Sequence, residues 1–223
     1  KKKISFTKEN IKNGTLLFLL GFVKKIFFAD TIAEIINPIF LNPLDFSGEY
    51  IVVASLLFPL QIYFDFSGYV DMALGISKIL GLSLPINFDR PYLSKSLTEF
   101  WRRWHITLSR WFRDYLYIPL GGSKVNKLKT YYNLLITMTI AGLWHGSSWN
   151  FLIWGIAHGT LLCVEKSKIL SKLTNFFPDI VKIFLTCFIV FNLWIIFKIS
   201  NLETLMLFYK ILYSNIFLIY NIK

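Results

Sequence analysis

The chain has 223 residues, of which 55% are hydrophobic, 18% are aromatic and 17% carry a charge. Soluble domains carry charge on about a quarter of their residues, so this composition, with a mean hydropathy of +0.53, excludes an ordinary soluble domain and indicates an integral membrane protein. The net charge of +11 does not indicate a nucleic-acid partner, because no basic run is interleaved with exposed polar surface. We expect membrane lipid as the partner of these cations, since Lys and Arg collect in short cytoplasmic loops and at membrane interfaces.

The chain is predicted to form a single membrane domain over residues 1–223. It begins with three lysines and shows neither an initiating Met nor a signal peptide, which we interpret as a piece of a longer protein with upstream membrane helices missing. Cys163 and Cys187 lie in apolar segments without motif spacing. They predict buried thiols rather than a disulfide framework or a zinc site.

The first predicted helix follows a polar, basic lead-in over residues 1–13 and runs from Gly14 to Ala29. Lys24 and Lys25 interrupt it. Each lysine at the centre of a lipid-facing span would cost roughly 2.5–3.5 kcal/mol, so we expect the helix to end or bend near them. Asn-Pro pairs then predict a loop over residues 37–48.

A second apolar span covers residues 49–62, with Pro59 inside it, and apolar sequence continues to Leu82. Asp65 and Asp71 fall within this continuation, where acids are costly and tend to have a role. Six residues apart, they point about 240° apart on an ideal helix, so they do not form a paired-carboxylate site. Hydrogen bonds to other helices, or a place at the edge of a water-filled cavity, are the favoured interpretation.

Residues 83–93 are predicted to be an extended connector, and residues 96–117 an amphipathic interfacial helix. Ser96 and Glu99 fit a capping box at its start. Large apolar side chains, three of them tryptophans, share one face, with arginines on the other, which is typical of a helix lying in the membrane interface. At 100° per residue His105 falls on the edge of the aromatic face.

The remaining elements are predicted from breaks in apolar sequence. A lysine-rich loop over residues 117–129 favours the cytoplasmic side. The predicted helices cover residues 131–143, 149–164 and 180–199, with a break at 144–148, a polar exit at 165–172 and a further helix within 201–223.

All three histidines lie between residues 91 and 159, each beside a tryptophan, a glycine or both. His145 lies at the helix break, and a broken helix at membrane depth is tolerated only against protein or a water-filled cavity. An imidazole there can act as a general base at neutral pH; a structural histidine bonded to a carbonyl is the open alternative. His158 lies about 220° from His145 on a continuous helix, and helix packing through neighbouring small residues is its favoured role.

No metal site or bound cofactor is expected. The histidines are not spaced by three or four residues, and no carboxylate accompanies them at motif spacing. A glycine-rich phosphate loop, a serine nucleophile elbow and a Cys–His pair are likewise not seen.

Five blocks together carry a family resemblance. They are Tyr63-Phe64-Asp65-Phe66-Ser67-Gly68-Tyr69, Asn87-Phe88-Asp89-Arg90-Pro91-Tyr92, Phe100-Trp101-Arg102-Arg103-Trp104-His105, Trp111-Phe112-Arg113-Asp114-Tyr115 and Leu143-Trp144-His145-Gly146. From about residue 14 to 200 the chain resembles the membrane-bound O-acyltransferase (MBOAT) family. It is most similar to the bacterial branch of alginate O-acetyltransferase-like proteins, and more distantly to the teichoic acid D-alanyltransferase.

The resemblance implies an all-α, polytopic helical bundle with broken or re-entrant helices around a central tunnel. It implies that His145 is the active-site histidine and His105 a second important one, which would orient the acyl carbonyl or stabilise its oxyanion. Substrate contacts are expected from Trp104, Trp144, Ser147, Arg102, Arg103 and Asp65. Arg102, Arg103, Arg110 and Arg113 would attract an anionic donor, or else contact lipid headgroups.

The implied function is transfer of acetyl groups from acetyl-CoA, or another acyl thioester, to hydroxyls of an envelope polysaccharide or an alginate-like exopolysaccharide. The implied setting is the bacterial inner membrane, with several spans and a separate periplasmic partner protein. One alternative is a transporter or flippase that uses the histidines and acids as a proton relay, although the halves show no internal repeat. A structural subunit of a polysaccharide export complex is the other.

Overall fold

The computed structural model describes residues 6–167 and 176–219, the last five as backbone only. All regular secondary structure in these ranges is helical, which confirms the predicted all-α class. Residues 1–5 of the lead-in, 168–172 of the polar exit and 220–223 of the last predicted helix lie outside the described residues.

The N-terminal helix was expected to end or bend at its two lysines, and it does not end there. Helix α1 (Lys8–Val23) continues through a π-helical segment (Lys24–Asp30) into α2 (Thr31–Leu41). The lysines remain within the helix because carboxylates pair with them.

The predicted loop over residues 37–48 is too long by one helical turn. Helix α2 continues through Pro38, and only residues 42–47 connect it to α3 (Gly48–Ile79). Asn37 lies within α2, and its side-chain oxygen accepts a hydrogen bond from Lys198 at 2.8 Å. Helix α3 passes through Pro59 and unites the apolar span with its continuation.

Helices α1 and α3 pack closely through facing glycines. A Cβ at Gly21 would lie 2.5 Å from the carbonyl oxygen of Gly68, and one at Gly14 would lie 2.6 Å from that of Gly75. Only hydrogen at these positions permits such an approach.

The predicted amphipathic helix over residues 96–117 is broken in the structure. Helix α4 (Leu97–Arg103) and helix α5 (Ile106–Phe112) flank Trp104 and His105, and a π-helical turn (Arg113–Tyr117) follows. The extended segment before α4 causes the break: Asp89 N–H donates to the Arg103 carbonyl, and Ile106 N–H donates to the Asn87 carbonyl, each at 3.0 Å. These long-range bonds replace bonds along a helix.

The capping box forms in part. Ser96 Oγ accepts from the backbone N–H of Glu99 at 3.1 Å. The Glu99 carboxylate, however, accepts from the backbone N–H of Lys95 at 2.7 Å and from Arg103 at 2.6 Å, rather than from that of Ser96.

The C-terminal half contains α6 (Lys127–His145), α7 (Trp149–Glu165), α8 (Asp179–Lys198) and α9 (Leu202–Ile219). The predicted break at 144–148 is confirmed, since α6 ends at His145 and α7 begins at Trp149. Within the described residues, α3 and α8 are long and apolar enough to cross a membrane. Large apolar side chains such as Phe27, Phe184 and Ile180 are more than 60% exposed, as expected of a surface that faces lipid.

Glu165, at the end of α7, holds the beginning of α4. Its carboxylate accepts hydrogen bonds from the backbone N–H groups of Leu97 at 2.6 Å and Thr98 at 3.1 Å.

We expect Glu165→Ala to lower the free energy of unfolding by about 1–3 kcal/mol, because a buried donor loses a charged acceptor. Thermal unfolding of the purified protein in detergent measures this. The exposed Glu203→Ala is the control, and equal unfolding temperatures for the two variants would contradict the assignment.

Candidate active site

His145 is enclosed by aromatic rings at the end of α6. Its ring centroid lies 5.0 Å from those of Trp144 and Phe197, 5.5 Å from that of Trp154 and 6.0 Å from that of Phe151. The ring is half-buried, and no hydrogen bond joins it to any other described residue. Both ring nitrogens are therefore available to a bound molecule.

A cavity of about 810 Å³ lies against His145. Apolar side chains from α5, α6 and α7 form much of its wall. Four cationic side chains line the same cavity, namely Arg102, Arg110, Arg113 and Lys166. Arg113 is paired with Asp114 at 2.7 Å, whereas Arg102 and Lys166 form no ion pair within the described residues. The cavity therefore joins a cationic wall to an unpartnered imidazole.

His105 lines a second cavity, of about 490 Å³. Its walls are mainly apolar side chains of α3 and of the connector after it, with Asn87 and Trp144 beside the histidine. The His105 ring packs edge-on against Phe66, at 4.7 Å between centroids. Burial lowers the pKa of His105 below its usual 6.5, so the ring is neutral at pH 7.

Trp144 connects the two histidines. Its ring lies 6.4 Å from His105 and 5.0 Å from His145, centroid to centroid. Trp144 lines the smaller cavity, and its neighbour His145 lines the larger one. The helix break therefore brings both histidines to one tryptophan, although they are forty residues apart in the chain.

His158 has a structural environment. It is 1% exposed, its ring packs on Trp154 at 4.6 Å, and its Nδ1 accepts a hydrogen bond from Trp101 Nε1 at 3.3 Å. It lines neither cavity. The predicted packing role fits this position.

The other predicted substrate contacts are scattered. Arg102 and Trp144 line cavities, as described above. Trp104 is 4% exposed within the aromatic core, Arg103 pairs with Glu99, and Ser147 lies exposed in the turn after His145. None of these three lines either cavity.

Asp65 also lies away from the two cavities. It pairs with Lys25 at 2.6 Å, and Asp71 pairs with Lys24 at 2.5 Å. The predicted contact of these acids with another helix is confirmed, and neither lines either cavity.

Three residues of the site were missed by the sequence analysis: Asn87, Trp154 and Lys166. Asn87 belongs to a motif block, yet a block does not show that its side chain reaches the break at His105. Trp154 lies nine residues after His145, a spacing that becomes a contact only because α6 and α7 form a hairpin. Lys166 follows the end of α7 in a polar stretch that carried no motif.

No group of three or more potential metal ligands occurs among the described residues.

Fold and site together define a helical membrane protein with a histidine at a helix break inside a cavity. Residues 2–208 match the membrane-bound O-acyltransferase family. The chain belongs to this family.

The chain is also similar in sequence to individual proteins whose activity is named. The chain is 40% identical over 208 residues to the probable alginate O-acetylase of Azotobacter vinelandii, covering 93% of this chain and 41% of the relative. It is 42% identical over 200 residues to the peptidoglycan O-acetyltransferase of Helicobacter pylori, covering 88% and 38%. It is 34% identical over 179 residues to the teichoic acid D-alanyltransferase of Streptococcus thermophilus, covering 74% and 42%. The chain thus spans about two fifths of the length of these relatives.

Proposed function

We propose that this chain is the histidine-bearing part of a membrane O-acyltransferase that transfers acetyl groups to hydroxyls of an envelope or secreted polysaccharide. The observation that carries the proposal is the unpartnered ring of His145 in a cavity that four cationic side chains also line. The names of the relatives, which specify acyl transfer to alginate, peptidoglycan and teichoic acid, support this class of substrate.

In the proposed reaction, neutral His145 takes the proton from an acceptor hydroxyl as its oxygen attacks the acyl carbonyl. A carbon–oxygen bond forms, the carbon–sulfur bond of the thioester breaks, and the proton passes to the departing thiolate. The products are an O-acetyl ester and a free thiol. The aromatic rings around His145 exclude water, which would otherwise hydrolyse the donor.

The proposed donor is acetyl-CoA or another acyl thioester, which is a substrate and not a resident cofactor. Arg102, Arg110 and Lys166 give the cavity wall a positive charge that suits phosphate groups.

Reversal of this charge tests the donor site. We expect the double variant Arg102→Glu and Arg110→Glu to raise the KM for acetyl-CoA tenfold or more, because two attractive charges become repulsive. The parent KM should also rise with ionic strength, since exposed charges are screened. Steady-state kinetics with acetyl-CoA measure both effects. Lys129→Glu, at an exposed position outside the cavity, is the control, and an equal rise in that variant would indicate only a net-charge effect.

We further propose that residues 1–223 act as one membrane domain of a multi-pass protein in the inner membrane of a bacterium. Helices α3 and α8 would cross the membrane, and residues 96–117 would lie at its interface as two short helices. The large exposed apolar surface supports this arrangement. A separate periplasmic protein is the proposed partner of this domain.

The structure gives little support to a transporter that moves protons through Asp65 and Asp71. Both acids are held by lysines of the π-helical segment, and neither lines a cavity with a histidine.

The proposed function is tested by the O-acetyl content of envelope and secreted glycans. Cells carrying the complete gene are compared with cells that lack it, and each glycan fraction is hydrolysed separately. We expect one fraction to lose its acetyl groups in the deletion strain. Unchanged acetylation in every fraction, with altered export of a glycan, would instead support a transporter or a structural subunit.

A further inference from the structure

The backbone of His105 has a strained conformation. Its φ is +42° and its ψ is +56°, in the left-handed region that only a few per cent of non-glycine residues occupy. Surrounding contacts must therefore hold it there. They come from Asn87, in the extended segment between α3 and α4.

Asn87 forms hydrogen bonds with residues at the break between α4 and α5, through both its backbone and its side chain. Its carbonyl oxygen accepts from the backbone N–H of Ile106 at 3.0 Å. Its side-chain Oδ1 accepts from the backbone N–H of Thr107 at 3.1 Å and from the Thr107 hydroxyl at 2.7 Å. The same Oδ1 lies 3.2 Å from Nδ1 of His105.

These contacts determine which nitrogen of His105 carries the proton. A backbone N–H can only donate, so the Asn87 atom that faces Thr107 is the oxygen and not the amide nitrogen. An oxygen in that place repels a lone pair on Nδ1 and attracts an N–H. His105 Nδ1 is therefore the protonated nitrogen, and in the neutral ring Nε2 carries the lone pair.

We propose that Asn87 is a positioning residue that holds His105 in its strained conformation as the Nδ1–H tautomer, so that Nε2 accepts a hydrogen bond from a hydroxyl of the acceptor glycan in the 490 Å³ cavity. This inference rests on the proposed function. It also changes the role expected for His105, because a lone pair on Nε2 cannot donate to an acyl carbonyl or an oxyanion.

The position of the cavity supports an acceptor rather than a donor. No Lys or Arg is among the residues that line it, so it offers nothing to the phosphates of a thioester donor. The polar groups of Tyr69, Asn87, His105 and Trp144 are instead a small set on an apolar wall, an arrangement that orients a hydroxyl-bearing ligand. Trp144 contacts both histidines, so one tryptophan lies between this hydroxyl site and His145.

The tautomer is measured by NMR of the purified complete protein labelled with ¹⁵N-histidine. The signals of His105 are identified by their loss in a His105→Gln variant. We expect the parent to show a protonated Nδ1 and an unprotonated Nε2. We expect Asn87→Ala to show loss of this preference, and Asn87→Asp, which keeps an acceptor oxygen, to retain it. Asn126→Ala is the matched control, since Asn126 caps α6 and contacts neither histidine.

Kinetics of acetyl transfer complete the test. Asn87→Ala should lower kcat/KM for the acceptor tenfold or more while the KM for acetyl-CoA stays within twofold, and Asn87→Asp should recover most of the loss. A parent with its proton on Nε2, or an Asn87→Ala variant with the tautomer unchanged, would overturn the proposal. Because the NMR signal does not depend on turnover, a parent that fails to acetylate any glycan would refute the proposed function and leave the tautomer assignment standing.

Discussion

Replacing His145 with glutamine should reduce acetyl transfer by about 100-fold or more, because a positioned general base contributes typically 10²–10⁴ to the rate. Glutamine has a comparable volume but cannot take a proton. The half-buried ring makes no hydrogen bond within the described residues, so its removal leaves no protein group unpaired. We therefore expect the variant to accumulate in the membrane at the parent level while the O-acetyl content of the glycans falls.

His158→Gln is the matched control for this prediction. It removes an imidazole that packs against the same Trp154, and the glutamine oxygen can accept the hydrogen bond from Trp101. We expect this variant to keep more than a tenth of the parent activity. If the two substitutions lower acetylation equally, at equal protein levels, His145 has no special part in transfer.

The second substitution with a large expected effect, on both stability and activity, is Gly155→Ala. Gly155 lies where α7 crosses α6. A Cβ at this position would lie 2.5 Å from the carbonyl oxygen of Met138 and 3.0 Å from the Cα of Thr139. Both are backbone atoms, so the helices themselves must separate. We expect Gly155→Ala to lower the free energy of unfolding by about 1–3 kcal/mol, the usual cost of overpacking.

The rate of acetyl transfer should also fall in Gly155→Ala. Gly155 follows Trp154, whose ring contacts His145 at 5.5 Å, so separation of the helices moves the wall of the larger cavity. Thermal unfolding in detergent and acetyl transfer measure the two effects. Thr160→Ala, on the exposed side of α7, is the control. A Gly155→Ala variant that unfolds at the parent temperature would contradict the close crossing.

The sequence predicted the elements whose causes are local. Apolar runs bounded by Gly, Pro and charge located α6, α7 and α8 within a few residues, and Trp144-His145-Gly146 correctly marked the end of a helix. Lys24 and Lys25 were expected to end or bend a helix, because their cost in lipid is a local property. Asp30, which also pairs with Lys25, is close in the chain, but Asp65 and Asp71 come from α3, forty or more residues away.

The prediction of one continuous helix from the amphipathic pattern of residues 96–117 was wrong for a similar reason. Periodicity predicted one helix, whereas the structure has a break at His105, where Ile106 N–H donates to the Asn87 carbonyl and Asp89 N–H donates to the Arg103 carbonyl. The break determines where His105 lies and which cavity it lines. The candidate histidines could thus be named from the sequence, but the contact of Asn87 with one of them could not, because it depends on the tertiary fold.

The most direct test of the account separates donor binding from transfer in the purified complete protein in lipid nanodiscs. Binding of acetyl-CoA and transfer of its radiolabelled acetyl group to a glycan oligosaccharide are measured for the parent and for His145→Gln. We expect a Kd for acetyl-CoA within about twofold of the parent, because the cationic wall is intact, together with transfer reduced by about 100-fold or more. Transfer at the parent rate in this variant would contradict the central role of His145.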